Sequence, residues 1–108
     1  MGISKRSIYS DHINFIASIA KVFAHPARVA IIKHISEQEG CICNDLVDEI
    51  GLAQATISQH LAVIGDAGLL KGTFKGKMKC YCINEERLSE FREYFGGFIK
   101  EVEQNCAC

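Results

Sequence analysis

Six cysteines in 108 residues fall into three Cys-x-Cys pairs: Cys41 with Cys43, Cys80 with Cys82, and Cys106 with Cys108. Thiolates favour zinc, copper(I), cadmium-like ions and thiophilic metalloids over magnesium or calcium, so such pairs suit a soft ion. They equally suit thiol–disulfide exchange. A second chemically useful group, Gln54, Thr56, Ser58, Gln59 and His60, crowds one short stretch. Gln can pair with adenine edges, while Ser and Thr serve phosphates or bases. The third group is cationic: Lys71, Lys75, Lys77 and Lys79 lie in residues 71–79 with no acidic residue among them. Residues 37–50 are the reverse, with Glu37, Glu39, Asp45, Asp48 and Glu49 and no basic residue. The net charge is only −1, yet one purely basic segment can dock on a polyanion.

The composition, 48% hydrophobic and 23% charged, is that of a globular chain, and its length suits a single domain over residues 1–108. No apolar stretch approaches a bilayer span, so no membrane partner is expected. Met1 to Ser10 carries Lys5 and Arg6 without the apolar run and cleavage site of a signal peptide. Arg6 also stands where a myristoylation motif needs Ser or Thr. A cytoplasmic location is therefore expected, where cysteines serve as ligands or redox sensors more than as disulfide scaffolding. The chain has no Cys-x-x-Cys in a strand–helix context and no paired acid and base. An enzyme, such as a small thiol oxidoreductase, or a metal-transfer protein is thus the disfavoured alternative.

Helical periodicity comes first along the chain. Ile13, Ile16, Ile19, Ala20 and Phe23 form an apolar stripe that Ser10 or Asp11 can cap, with Phe15 and Val22 off it on a second face. Pro26 suits the first turn of a second helix carrying Val29, Ile32 and Ile35, which Gly40 would stop. Asn44 or Asp45 can cap a short helix to about Ile50, and Gly51 breaks the pattern. Another helix begins near Gln54, places Ile57, Leu61 and Ile64 in the core, and ends at Gly65 or Gly68. Two short helices around a Gly turn outline a helix-turn-helix over about 44–66.

Leu69 to Phe74 reads as a strand, Lys75-Gly76-Lys77 as a turn and Lys79 to Ile83 as a second strand, a hairpin over about 69–83. A helix-turn-helix followed by a basic hairpin is a winged-helix arrangement. Its second helix would enter the major groove of double-stranded DNA while the wing lysines meet phosphates. Glu85 to Gln104 then forms a long helix with Leu88, Phe91, Phe95, Phe98, Ile99 and Val102 on one side, followed by the cysteine tail to residue 108. So much apolar surface implies a homodimer, formed through the first and last helices. The expected fold is mainly α with a small β-hairpin: four helices, two strands and a final helix.

On these residues the chain resembles the arsenical-resistance repressor (ArsR/SmtB) family. The resemblance rests on Phe23-Ala-His-Pro-Ala-Arg28, Cys41-Ile-Cys43-Asn-Asp-Leu46 and Gly51-Leu-Ala-Gln-Ala-Thr-Ile-Ser-Gln-His-Leu61. It extends through Ala67-Gly-Leu-Leu70 and Lys79-Cys-Tyr-Cys-Ile-Asn84. It implies a homodimeric cytoplasmic repressor, with no obligatory cofactor, that leaves its operator when a soft ion, metalloid or oxidant reaches its cysteines. Arsenite, As(III), is the favoured inducer, with Cd(II) or another soft ion as alternatives. Three departures stand out. Ala53 replaces the Ser that usually opens the recognition helix, and the last helix lacks the histidine of zinc-sensing members. Asn44 follows the first cysteine pair and Val47 takes the place of a third cysteine.

Cys41 and Cys43 are therefore the candidate ligand pair, with Cys106 or Cys108 as the candidate third ligand from a frayed tail. Residues two apart on a regular helix do not face each other, so a shared ion at Cys41 and Cys43 needs a bent or unwound helix start. In the redox alternative Cys41 or Cys43 bridges to Cys106 or Cys108. Cys80 and Cys82 lie on one face of a strand, where they are either a further ligand pair or buried strand residues. Gly96-Gly97 is a candidate kink that would re-aim the tail.

Overall fold

The computed structural model describes residues 8–38, 50–75 and 78–106, with strand residues 73–75 and 78–79 described by their backbone. Helix α1 spans Asp11–Val22 and begins where Ser10 Oγ accepts the Ile13 N–H at 3.2 Å. This satisfies one of the N–H groups that a helix start otherwise leaves open. Helix α2, Pro26–Ser36, has Pro26 in its first turn, where the missing N–H costs nothing. It stops four residues before Gly40, which itself lies outside the described residues. Its last carbonyls are satisfied locally, Ser36 Oγ donating to Lys33 O at 2.7 Å and Gln38 Nε2 to His34 O at 3.2 Å.

The short helix expected at about 44–50 lies outside the described residues except for Ile50, which is helical. Gly51 follows at φ +81°, a left-handed conformation that favours glycine and turns the chain into helix α3, Gln54–Asp66. Ala53 occupies the N-cap of α3 with no side-chain hydrogen bond. At the other end Gly68, at φ +82°, closes α3: its N–H bonds Gly65 O at 2.9 Å and the Leu69 N–H bonds Ile64 O at 3.3 Å. That pair of bonds is a Schellman motif, which makes Gly68 rather than Gly65 the stop.

Strands β1, Leu70–Lys75, and β2, Met78–Ile83, pair antiparallel with Leu70 opposite Ile83, Lys71 opposite Cys82 and Gly72 opposite Tyr81. Helix α4, Glu85–Asn105, starts at Asn84, whose Oδ1 accepts the Arg87 N–H at 3.3 Å and whose Nδ2 donates to Gly68 O at 2.9 Å. It is one helix through Gly96 and Gly97, so the glycine pair does not interrupt it. Neither glycine has a neighbouring atom that an added Cβ would meet. These elements match the expected architecture, with strand limits shifted by about one residue.

The core gathers Ile19 and Val22 from α1, Ile31 and Ile35 from α2, and Ile57, Leu61 and Ile64 from α3, closed by Leu69, Leu70 and Tyr81. In α1 the expected stripe is corrected: Ile13 is 51% exposed and Ala20 is exposed, whereas Val22 is 1% exposed and Phe15 half-buried. The helix has two apolar faces, and the monomer core accepts only the one carrying Phe15, Ile19 and Val22. Helix α4 has no fully buried residue. It lies on α1 through aromatic contacts, Phe15 edge-on to Tyr94 at 5.4 Å and Phe23 stacked on Phe91 at 5.9 Å. The Arg87 guanidinium sits 4.7 Å above the Phe15 ring and donates to Ala67 O at 3.2 Å, tying the start of α4 to the end of α3.

Candidate nucleic-acid interface

Helix α3 sorts its side chains by chemistry. Ile57, Leu61 and Ile64 are buried, while Gln54, Ser58 and Gln59 are exposed along with Ala55 and Ala62. Gln54 Nε2 lies 3.4 Å from Ser58 Oγ, one helical turn on, so the amide and hydroxyl share one edge of this face. Thr56 is half-buried beside them. Sequence reasoning passed over Ala55 and Ala62 because they carry no polar atom. Small apolar side chains on such a face admit close approach and can contact thymine methyl groups.

His60 differs from its neighbours. It is half-buried, and its Nδ1 accepts from Arg28 Nε at 3.2 Å. Arg28, only 9% exposed, also donates from Nη1 to the Lys21 carbonyl at 3.0 Å, in the last turn of α1. One guanidinium thus fastens α1, α2 and α3 together. Arg28 therefore pairs with a ring nitrogen and a helix-end carbonyl. Burial, then the Arg28 charge, then His25, whose ring lies 5.9 Å away, push His60 below the usual histidine pKa of 6.5. Neutral His60 with Nδ1 as acceptor carries its proton on Nε2, which is left as a donor.

The hairpin follows α3 directly. Lys71 is exposed in β1, Lys75 ends β1, and Lys79 stands opposite Phe74 in β2. Lys77 lies outside the described residues. On one face of the hairpin Leu70 and Tyr81 enter the core, and burial raises the Tyr81 phenol pKa above 10.0. Cys80 and Cys82 belong to the opposite face, half-buried, and both are disulfide-bonded. Cys106 is free and exposed at the end of α4. Cys41, Cys43 and Cys108 lie outside the described residues. Among the described residues no group of three or more His, Cys, Asp or Glu side chains is placed to hold a metal ion.

A helix with one buried apolar side and one exposed polar side, followed directly by a two-stranded hairpin, recurs in known proteins. Residues 25–71 match the family model described as bacterial regulatory protein, arsR family. An HTH-type transcriptional regulator of Methanocaldococcus jannaschii is 36% identical over 75 residues, covering 68% of this chain and 83% of that protein. The chain belongs to the ArsR family.

Another member, the arsenical resistance operon repressor of Staphylococcus xylosus, is 30% identical over 93 residues, 86% of this chain and 88% of that one. The crystal structure of an ArsR family transcriptional regulator superposes with a TM-score of 0.73 at 17% identity, covering 90% of this chain and 98% of that chain. The winged-helix fold is thereby shared, and as an ArsR-family regulator the chain is a DNA-binding transcription factor and not an enzyme. Among the described residues no single helix is long and apolar enough to cross a membrane.

Proposed function

We propose that this ArsR-family regulator is a homodimeric cytoplasmic repressor that holds operator DNA through α3 and the hairpin. It releases that DNA when a thiophilic metalloid or metal ion binds its cysteine thiolates. The observation that carries the DNA-binding half is the exposed face of Gln54, Ser58 and Gln59 on a helix whose other side is locked into the core. In this reading Thr56 and His60 flank that face, and Lys71, Lys75, Lys77 and Lys79 neutralise phosphates beside the groove.

Dimerisation is supported by what the monomer leaves uncovered. Ile13 of α1 and Tyr94, Phe98, Ile99 and Val102 of α4 are each 39% exposed or more, and Ile13, Tyr94 and Phe98 line one shared groove between the two helices. The radius of gyration is 16.3 Å, against about 13 Å for a compact domain of this length. A second copy covering this face removes the apolar surface from water.

For the inducer, arsenite is the leading assignment, with Cd(II) or another soft ion as alternatives and Cys41 and Cys43 as the first ligands. A coupling of about 1–3 kcal/mol between inducer and DNA would weaken operator binding roughly 5- to 150-fold. Fluorescence anisotropy of the reduced protein on its upstream DNA, titrated with arsenite under argon, tests both halves. Release at stoichiometric arsenite is the expected result. Binding that persists throughout refutes the arsenite assignment while leaving the DNA interface standing.

The disulfide bonds at Cys80 and Cys82 favour a second reading, an oxidant-responsive repressor of the same fold. It predicts release by a hydroperoxide or polysulfide without metal, reversed by dithiothreitol. Release that yields no new disulfide by non-reducing mass mapping eliminates it.

A further inference from the structure

A cavity of about 670 Å³ opens between α1 and the C-terminal half of α3, with Arg28 of α2 in its wall. That volume is in the range of small-molecule sites. Asn14, Ala17, Ser18 and Lys21 recur at helical spacing, so one face of α1 forms one wall. None of the four lines the groove that holds Ile13, Tyr94 and Phe98, so a second copy seated on that groove meets a different face of α1.

Arg28 is the unusual member of this lining. It is 9% exposed and spends two donors inside the fold, Nε on His60 Nδ1 at 3.2 Å and Nη1 on the Lys21 carbonyl at 3.0 Å. Both acceptors are uncharged in the neutral-histidine form. A guanidinium has five N–H donors, and the two on Nη2 have no acceptor among the described residues. No fully buried side-chain nitrogen or oxygen among the described residues lacks a hydrogen-bond partner, so Nη2 reaches solvent. The cavity that Arg28 lines is its outlet. A largely desolvated guanidinium with open donors and no carboxylate of its own favours a carboxylate from outside.

Two further charges line the same cavity. Lys21 on the α1 wall and Asp66 on the α3 wall make no ion pair among the described residues. Ala17, Val63 and Ala67 add a short aliphatic surface between them. Two cations matched by one carboxylate suit a zwitterion, because a simple anion would meet the Asp66 charge. We propose that this cavity binds a small aliphatic α-amino acid, its carboxylate on Arg28 Nη2 and Lys21, its ammonium on Asp66 and its side chain along Ala17, Val63 and Ala67. The site uses no cysteine and is separate from the thiolate chemistry above. The guanidinium that takes the carboxylate also holds His60, so occupancy reaches the helix that carries the polar face.

The test is calorimetric titration of the full-length protein with glycine, L-alanine, L-valine and L-leucine, each beside its own primary amide. The amide keeps the ammonium and loses the carboxylate. Saturable binding of at least one amino acid, and not of its amide, is the expected result. Saturation by none of the four, or equal binding of the amide, overturns the inference. A second readout locates the ligand. Its carboxylate would offset the Arg28 charge that, after burial, helps to hold His60 below 6.5, with the His25 ring 5.9 Å away as the other ionisable neighbour. The His60 ring-proton titration should therefore move upward on binding, and binding that leaves it unmoved overturns the placement. Lys21→Ala and Asp66→Ala, both at exposed residues, should each weaken binding roughly 10-fold at an unchanged urea midpoint. Lys21→Ala keeps the main-chain carbonyl that Arg28 bonds. Wild-type affinity in either variant also overturns the assignment.

Discussion

Arg28→Ala removes the one side chain that bridges three helices, and its consequences can be worked out atom by atom. In the native fold Nε bonds His60 Nδ1 at 3.2 Å and Nη1 bonds Lys21 O at 3.0 Å, from a residue only 9% exposed. Hydrogen bonds involving a charged group contribute about 1.5–3 kcal/mol each, and water admitted at half-buried His60 recovers part of that. Relief of the desolvation cost of a buried guanidinium offsets more. The expected net loss is about 2–4 kcal/mol, read as a lower urea midpoint at fixed protein concentration so that dimerisation does not confound it. Arg28→Lys should fall between, because one ammonium cannot reproduce the two-pronged fork.

The same substitution has a second signature that simple loss of packing lacks. The Arg28 charge helps to hold the His60 pKa below 6.5, so its removal should move the His60 titration upward, although burial continues to depress it. The His60 ring proton resonances followed by NMR against pH report this directly. In the native protein the neutral imidazole is the form the fold favours. Its contribution to stability is therefore complete above 6.5, the unfolded value, and is lost as the pH falls through 6.5 toward the lowered folded value. An Arg28→Ala protein of unchanged stability, or one whose His60 titrates as in the wild type, would refute this account of the three-helix junction.

Four further outcomes follow from individual residues. Ala53→Ser should stabilise the protein by about 1 kcal/mol, because Ala53 already has the extended backbone of an N-cap and lacks only the oxygen; the urea midpoint should rise with an unchanged slope. Gly72→Ala should weaken the hairpin, since its Cβ would collide with the Cys80 carbonyl oxygen; operator affinity should fall while the helical circular dichroism stays near native. Lys71→Ala should weaken binding to all DNA sequences alike and reduce the slope of log affinity against log salt by about 1. Phe98→Glu, at a residue 45% exposed, should shift sedimentation toward monomer without unfolding the chain; an unchanged dimer would place the interface elsewhere.

Much of this protein follows from signals carried by single residues. Ser10 capping α1, Pro26 opening α2, Gly51 turning into α3 and Gly68 ending it act through their own stereochemistry and need no distant partner. The polar face of α3 is likewise legible, because helical periodicity separates Gln54, Ser58 and Gln59 from Ile57, Leu61 and Ile64. Tertiary structure decided the questions of partnership. Helix α1 carries two apolar faces of similar character, and only packing against α2 and α3 selects Phe15, Ile19 and Val22 over Ile13 and Ala20. Arg28 meets His60 across 32 residues of sequence, a contact that no local pattern encodes. The hairpin and tail cysteines share Cys-x-Cys spacing, but the structure half-buries and disulfide-bonds Cys80 and Cys82 in β2 and leaves Cys106 free and exposed at the end of α4. Local conformation depends on nearest neighbours along the chain, whereas the choice of chemical partner depends on distances through space that only the packed helices set.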